Sequence, residues 1–287
     1  MRMLVWIGLA AGIIFRCCPV EAQSSEKYQG AFADSLRVER WLAEAPFLPA
    51  DSCRTLYFAH CMLGVSYVAG TLEGEKEERL VYHTDAVDCV TFVETVLALT
   101  LAESRGDCSF ADFKHYLQLL RYRNGEVKGY ASRLHYFTDW VRDNERKGLV
   151  KERTEVVADT IQKLCLNFMT AHVSAYPKLK NHLEQVKEIA RCEQLYQNLE
   201  IPFVKKSSLN KTPHQLKIHD GDVLAIVTNI KGLDVVHMGF ACWVRGKLHL
   251  LHASSNKKKV ILDPSPLYDY SITKKSQLGI RVVKVLR

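Results

Sequence analysis

Cys89 lies where a polar turn meets an apolar run, and that setting suits covalent chemistry. Residues 88–101 read Asp-Cys-Val-Thr-Phe-Val-Glu-Thr-Val-Leu-Ala-Leu-Thr-Leu, a pattern typical of a buried helix. Asp88 is a good N-cap, which puts Cys89 in the first turn, where free amides and the positive helix end favour a thiolate. A thiolate is the nucleophile that attacks carbonyl carbon. The plain alternative is a cysteine that only fills the core.

Two histidines are expected to lie together on a hairpin further along the chain. Arg245-Gly246 separates two strand-like runs and suits a two-residue turn. The register of such a hairpin places His237 and His252 on one side of adjacent strands, with Gly239 leaving space beside them. Neighbouring imidazoles suit a general base and the group that orients it. The alternative is a coincidence among the 11 histidines of the chain.

These residues form a complete set for acyl transfer. Cys89 attacks the carbonyl carbon, His237 takes the thiol proton and returns it to the leaving amine, and His252 holds the imidazole of His237 in the useful tautomer. The backbone amide of Cys89 is expected to donate to the oxyanion, with Tyr82 or His83 as a second donor.

The elements that must position this set change type along the chain. Helical spacing appears first, in a short helix within 36–50 that ends before Pro46, then over 88–101 and 111–123, and then in a long helix from Pro177. From residue 220 the pattern is of short strands and turns, which we place at 222–228, 235–244, 247–254, 259–263 and 280–286. Helices followed by an antiparallel sheet predict an α+β architecture.

Length and composition fit one enzyme-sized domain. The chain has 287 residues, 47% of them hydrophobic and 25% charged, which is ordinary for a globular protein. The net charge of +7 suits an anionic polymer, but no basic patch with interleaved aromatic residues predicts nucleic-acid binding. We expect a single catalytic domain at 23–287, with a helical insertion at about 105–215 and a β-sheet half at about 218–287.

The N-terminus predicts export, and export sets how the cysteines are interpreted. Arg2, the apolar run Leu4–Phe15 and Val20-Glu21-Ala22 match a signal peptide of residues 1–22 that is cleaved after Ala22. The run is too short to span a bilayer, so we expect a periplasmic or extracytoplasmic protein without stable membrane insertion. Seven cysteines then remain, which allows three disulfides and one free thiol, and Cys89 is our candidate for the free thiol. No Cys-x-x-Cys or His-x-x-x-His pair occurs, so no metal site is predicted.

The motifs resemble a known family. Val87-Asp88-Cys89-Val90-Thr91-Phe92-Val93-Glu94, Arg133-Leu134-His135-Tyr136, His237-Met238-Gly239-Phe240 and Leu251-His252-Ala253-Ser254-Ser255 are similar to the N-acetylmuramoyl-L-alanine amidase-like family of the papain-like NlpC clan of cell-wall hydrolases. The resemblance covers roughly residues 35–287. It implies an NlpC core, in which a nucleophile helix packs on an antiparallel sheet, with extra helical segments. It also implies a cysteine nucleophile at Cys89, a base at His237 and an orienting residue at His252.

The resemblance gives a functional expectation with open alternatives. Asp-Cys-Val-Thr stands where clan members commonly have Asp-Cys-Ser-Gly, which points to a narrower site and to the amidase-like branch. We expect an exported cysteine amidase that cuts between N-acetylmuramic acid and L-alanine in peptidoglycan or muropeptides, with no cofactor. Arg133, His135 and Tyr136 are expected to contact substrate, although residues 132–140 also fit an aromatic-rich core helix. The alternatives are a stem-peptide endopeptidase, an inactive murein-binding module or a disulfide-linked scaffold.

Overall fold

The computed structural model describes residues 20–73 and 77–286. The predicted signal-peptide run Leu4–Phe15 lies outside these residues. No helix in the described ranges is long and apolar enough to cross a membrane. The α-helices are α1 (Val20–Glu44), α2 (Arg54–Cys61), α3 (Cys89–Ser104), α4 (Phe110–Arg121), α5 (Phe137–Arg146), α6 (Thr154–Val157), α7 (Phe168–Ala171), α8 (Leu183–Gln194), α9 (Pro213–Leu216) and α10 (Leu267–Ile272).

The strands of the described chain join in one ten-stranded sheet with the order β2-β1-β9-β8-β7-β6-β10-β5-β4, and β3 also pairs with β10. The α+β class is therefore confirmed. The sheet is mixed rather than antiparallel as predicted, because β1 and β2 pair in parallel. The strands are β1 (Ser66–Tyr67), β2 (Ala86–Val87), β3 (Val150–Glu152), β4 (Thr160–Cys165), β5 (Gln197–Lys205), β6 (Val223–Thr228), β7 (Val235–Val244), β8 (Lys247–Ser254), β9 (Lys259–Leu262) and β10 (Gln277–Val285).

The predicted hairpin between β7 and β8 is confirmed. Val244 faces Lys247 across the turn. Arg245 and Gly246 both have positive φ, 49° and 77°, as a type I′ turn requires. That turn fixes which residues of β7 and β8 share a face.

Helix α3 is the buried helix that the sequence predicts. The carboxylate of Asp88 accepts hydrogen bonds from the amides of Val90 and Thr91, and the Thr91 hydroxyl accepts one from the Asp88 amide. This reciprocal cap fixes where the helix begins. Every residue from 91 to 102 is buried. Phe92 packs edge to face on Phe240 of β7, with ring centroids 5.6 Å apart, so the helix is anchored to the sheet that carries the histidines.

The segment 105–215 differs from the predicted helical insertion. The long helix expected from Pro177 begins only at Leu183, and the segments on either side of it form β4 and β5, which pair antiparallel at the end of the sheet. The sequence hides this pair because most side chains of β4 are exposed or half-buried and polar. Their inward residues, such as Leu164 and Ile201, belong to a separate small core with Leu179 and Ile189. Tertiary pairing outweighs the local signal here.

Candidate functional site

A cleft opens at the first turn of α3, beside the start of β7. It has about 560 Å³ of empty space, and mostly apolar side chains line it. Cys89 and His237 both line it, as the sequence analysis expects, and so does His135. The lining residues are Cys89, Val90, Leu134, His135, Phe137, Trp140, Leu233, Asp234, Val235, Val236, His237 and Met238.

The thiol of Cys89 is neutral in the resting protein. Burial raises its pKa to about 12, and the negative charge of Asp88 acts in the same direction. Backbone amides of Met238, Cys89 and Val90 act in the opposite direction, since they can donate to a thiolate. The helix-end amides favour the thiolate, as the sequence analysis expects, but desolvation outweighs them. Cys89 is nevertheless a free thiol, and so are Cys61, Cys108, Cys165, Cys192 and Cys242, so the structure gives no support to the three possible disulfides.

The predicted contact between the two histidines is confirmed. Nε2 of His237 lies 2.5 Å from Nδ1 of His252, and the rings meet edge to face with centroids 4.8 Å apart. Gly239 makes this approach possible, because a Cβ there would lie 2.8 Å from Cβ of His252 and 2.6 Å from the carbonyl oxygen of Leu251. The hydrogen bond uses Nε2 of His237, which leaves Nδ1 as the ring nitrogen available to the cleft.

A carboxylate that the sequence analysis missed lies behind His252. Oδ2 of Asp263 is 3.4 Å from Nε2 of His252, and Oδ1 accepts a hydrogen bond from the amide of Ser265. His252 is 1% exposed, and its Nε2 has no well-aligned hydrogen-bond partner among the described residues. Asp263 follows β9, a strand whose end the pattern does not distinguish from the loop beyond it. The tyrosine ring of Tyr270 packs edge to face on His252 at 5.7 Å.

Both imidazoles are neutral at neutral pH. Burial lowers the pKa of His237 to about 3, and the positive charges of His252 and Lys274 act in the same direction. Burial also lowers the pKa of His252, although the carboxylate of Asp263 opposes that shift. A neutral thiol beside a neutral imidazole means that the proton moves as the sulfur attacks.

Tyr67 is a second residue that the sequence analysis missed. It lies on β1 directly opposite Val87 of β2, next to the first turn of α3. Burial raises the pKa of its phenol, and the electrostatic influence of the Cys89 sulfur and the Asp88 carboxylate adds to that effect. The phenol is therefore within range of an electrostatic interaction with Cys89, although it does not line the cleft. A two-residue strand is too short to show a period, so the sequence carries no signal for it.

Tyr82 and His83, the expected second oxyanion donors, lie elsewhere. The Tyr82 ring packs edge to face on Phe110, with centroids 5.3 Å apart, and its pKa is raised by burial and by Asp34. His83 is exposed. Neither side chain lines the cleft, and the groups that shift the pKa of Tyr82 are Asp34 and Arg79 rather than Cys89, so the structure does not support either as an oxyanion donor.

Arg133 and Tyr136 do not line the cleft either. Arg133 is 7% exposed, and its guanidinium pairs with Glu78 at 2.6 Å and Glu73 at 2.7 Å. The Tyr136 hydroxyl donates to Glu193 at 2.6 Å and accepts from the amide of Met169 at 2.8 Å. Both side chains are engaged within the protein, which corrects the expectation that they contact substrate.

His135 is the one of the three expected substrate contacts that does line the cleft, next to Leu134. Its Nε2 contacts the carbonyl oxygen of Tyr130 at 2.9 Å, so the ring presents its other side to the cavity. Burial lowers the pKa of His135 to about 4, which keeps it neutral.

Trp140 gives the cleft a buried polar atom without a partner. The side chain is 3% exposed, and its Nε1 makes no hydrogen bond with any described residue. Asp234 also lines the cleft, but its carboxylate already accepts from the amides of Thr138 and Val235. A buried donor left unpaired is costly, and a ligand that accepts from it removes the cost.

Comparison with known proteins places the chain in a family. The family model of AmiA-like proteins, described as N-acetylmuramoyl-L-alanine amidase-like, matches residues 57–280. The chain belongs to this family. The matched segment contains Cys89, His237, His252 and Asp263. No curated protein sequence matches the chain.

Solved structures agree with that assignment. An N-acetylmuramoyl-L-alanine amidase from Bacteroides uniformis is 38% identical, with a TM-score of 0.78, and the match covers 82% of this chain and 98% of that one. A protein from Bacteroides fragilis named as a candidate xylanase is 40% identical, with a TM-score of 0.76, and covers 80% and 99%. A Legionella pneumophila protein, 24% identical with a TM-score of 0.69 over 91% and 97%, shares the fold.

Proposed function

We propose that this member of the amidase-like family is a cysteine amidase. Its reaction is hydrolysis of the amide between N-acetylmuramic acid and L-alanine in peptidoglycan or released muropeptides. One observation carries the proposal: Cys89, at the first turn of a buried helix, shares a cleft with His237, whose far nitrogen contacts His252. This is the arrangement of nucleophile, base and orienting residue that acyl transfer requires.

In the first step, the sulfur of Cys89 bonds to the muramoyl carbonyl carbon. The thiol proton moves to Nδ1 of His237, and the carbonyl π electrons move to oxygen. The amide of Cys89 and the phenol of Tyr67 are the proposed donors to this oxyanion. The pKa of the phenol is raised by burial, so it keeps its proton and can donate.

In the second step, the carbonyl re-forms and the carbon–nitrogen bond breaks. His237 gives its proton to the amine of L-alanine, which leaves a thioester on Cys89. A water molecule then attacks the thioester, with His237 accepting one of its protons, and the sulfur leaves and regains that proton. The net reaction consumes one water and gives a carboxylic acid and an amine.

The proposed substrate contacts in the cleft differ from Arg133 and Tyr136, which the sequence motif suggests. Its walls are apolar at Leu134, Phe137 and Val235, which suits methyl groups such as those of the lactyl and alanyl units. The unpartnered indole N–H of Trp140 is the proposed donor to a substrate carbonyl. His135 borders the same space.

A glycosidase is a poorer reading of the site, although one relative carries a xylanase name. Most glycoside hydrolases use two carboxyl groups on either side of the bond. Among the described residues that line the cleft, Asp234 is the one carboxylate, and backbone amides already engage both of its oxygens.

The proposal includes the wider setting. Packing of the nucleophile helix on the strands that carry the histidines supports membership of the papain-like NlpC clan. The N-terminal signal-peptide pattern in the sequence supports export and a periplasmic site of action. A murein stem-peptide endopeptidase is the rival activity, and an inactive murein-binding module is the rival without chemistry.

Digestion of a purified disaccharide-tripeptide tests the proposal. We expect two products by mass spectrometry, the peptide-free amino-sugar and a peptide whose N-terminus is L-alanine. Cys89→Ala yields neither, whereas Cys108→Ala, which alters an exposed thiol, behaves as wild type. Fragments cut within the peptide would support the endopeptidase, and binding without products would support the inactive module.

A further inference from the structure

The contacts of His252 also determine which nitrogen of each imidazole carries a proton. A neutral imidazole has one nitrogen that donates and one that accepts. When Nε2 of His237 and Nδ1 of His252 share one hydrogen bond, the proton sits on one side or the other. The two arrangements have opposite consequences for the nitrogen of His237 that is left for the cleft.

In the first arrangement His237 donates from Nε2, and its Nδ1 is then an unprotonated base. In the reverse arrangement His252 donates from Nδ1, so the proton of His237 sits on Nδ1. A nitrogen that already carries a proton cannot take one from the thiol. Something must therefore select the first arrangement.

Asp263 supplies that selection. Its Oδ2 lies 3.4 Å from Nε2 of His252, and an ionised carboxylate only accepts hydrogen bonds. The other oxygen is occupied by the amide of Ser265, which fixes the carboxylate in place. A proton on Nε2 of His252 leaves its Nδ1 as the acceptor.

We propose that Asp263 is a positioning residue that fixes the direction of hydrogen bonding through His252 and His237, so that Nδ1 of His237 stays unprotonated. The catalytic group is His237, and Asp263 acts on it through His252. The role rests on the proposed cysteine mechanism. The inference about tautomers does not depend on which amide is cleaved.

Other charged groups around the pair cannot take this role. Lys274 lowers the pKa of both histidines, and a lysine has no acceptor for an imidazole proton. The Tyr270 ring faces His252 edge on. Burial raises the pKa of its phenol, which keeps it a neutral group without the charge of a carboxylate. On the cleft side of His237 the titratable groups are Cys89, His135 and Asp234.

Imidazole nitrogen NMR on the intact 15N-histidine-labelled protein tests the inference without substrate. We expect His237 and His252 to be Nε2–H tautomers in the wild type at pH 7. In Asp263→Leu the reversed arrangement gains population, which is read as protonated Nδ1 on both rings. In Asp263→Asn the amide oxygen still accepts, so the tautomers persist, whereas the pKa of His252 falls because the charge is lost.

Activity gives a second readout. Asp263→Leu should lower kcat/KM and the rate of Cys89 alkylation by iodoacetamide by about 10- to 100-fold, a range typical of lost outer partners at catalytic groups. Asp263→Asn should lower both rates by a smaller factor. Asp269→Asn, an exposed carboxylate on α10, is the control and should change neither the tautomers nor the rates.

The outcomes separate this inference from the proposed function. An Nδ1–H tautomer on His252 in the wild type, or unchanged tautomers in a folded Asp263→Leu protein, overturns the role of Asp263. If Asp263→Leu does not fold, the wild-type tautomers and the pKa of His252 in Asp263→Asn decide the matter, and an unchanged pKa contradicts it. If the protein has the expected tautomers but cleaves no muropeptide, the role of Asp263 stands and the proposed amidase activity is rejected.

Discussion

The polar cluster around Arg133 and the cleft beside Cys89 are both buried, and they differ in how their polar groups are paired. Around Arg133, the guanidinium pairs with the carboxylates of Glu78 and Glu73, and the Tyr122 hydroxyl donates to Glu78 at 2.7 Å. One oxygen in this cluster, Oε2 of Glu73, is buried without a hydrogen bond in the described chain, although the other oxygen of that carboxylate binds Arg133. In the cleft, the neutral donor Nε1 of Trp140 has no partner in the described chain. The difference teaches that a buried charge paired with opposite charges inside the protein holds the fold, whereas a buried donor that faces a cavity is available to a ligand.

The largest expected effect is on catalysis in the cleft. His237→Ala should lower kcat for muropeptide hydrolysis by about 1,000-fold or more, because it removes the proposed acceptor of the thiol proton. It should also slow alkylation of Cys89 by iodoacetamide near pH 7. Unfolding in urea should change little. The exposed His219 is the matched control, since His219→Ala should leave both rates unchanged.

If His237→Ala kept its activity, the base would be another residue. Loss of activity together with a large fall in the free energy of unfolding would also contradict the comparison, because His237 would then stabilise the fold.

The next effect is on stability around Arg133. Arg133→Met leaves the Glu78 carboxylate, 3% exposed, buried without its partner. We expect a loss of about 3–5 kcal/mol of unfolding free energy, measured by urea denaturation. Arg191→Met removes an exposed pair with Glu188 and should cost less than about 1 kcal/mol.

A folded Arg133→Met protein that keeps full stability but binds substrate poorly would contradict this reading. Arg133 would then be a substrate contact, as its motif suggests.

Substrate recognition by Trp140 should give a smaller effect. Trp140→Phe keeps an aromatic ring but removes the unpartnered N–H, so KM should rise about 10-fold, the value of one hydrogen bond of roughly 1.4 kcal/mol. Unfolding free energy should stay the same or rise, because a buried donor without a partner is removed. A fall in stability with unchanged KM would mean that the indole N–H serves the fold.

The last expected effect is gradual and depends on pH. Burial holds the pKa of His237 at about 3 and that of His135 at about 4, below the unfolded value near 6.5. Between these values the unfolded chain binds protons that the native protein does not, so unfolding free energy should fall as pH drops from about 6.5 towards 4. His135→Gln should flatten this slope in urea titrations, and a stability that rises on acidification would contradict the assignment.

The sequence predicts the part of the site that local rules govern. Asp88 and Thr91 cap α3, and Arg245-Gly246 fixes the hairpin register, so the positions of Cys89 and the two histidines follow from short-range signals. The order of helices and strands likewise predicts the α+β class.

The remainder depends on contacts between distant segments. Tyr67 reaches the site through a two-residue strand, and Asp263 through the end of β9, and neither leaves a periodic signal. The thiol pKa depends on burial, which the capping pattern does not report. From the sequence, Arg133 and Tyr136 are predicted as ligand contacts, because their actual partners Glu78 and Glu193 lie far away along the chain.

Trapping the covalent intermediate tests the central claim most directly. Wild-type protein mixed with a disaccharide-tripeptide, quenched in acid within seconds and digested, should carry on the Cys89 peptide an added mass equal to the disaccharide acyl group without any amino acid. An adduct that retains L-alanine and further residues, an adduct on another side chain, or turnover without any adduct and undiminished by Cys89→Ala would contradict a cysteine amidase.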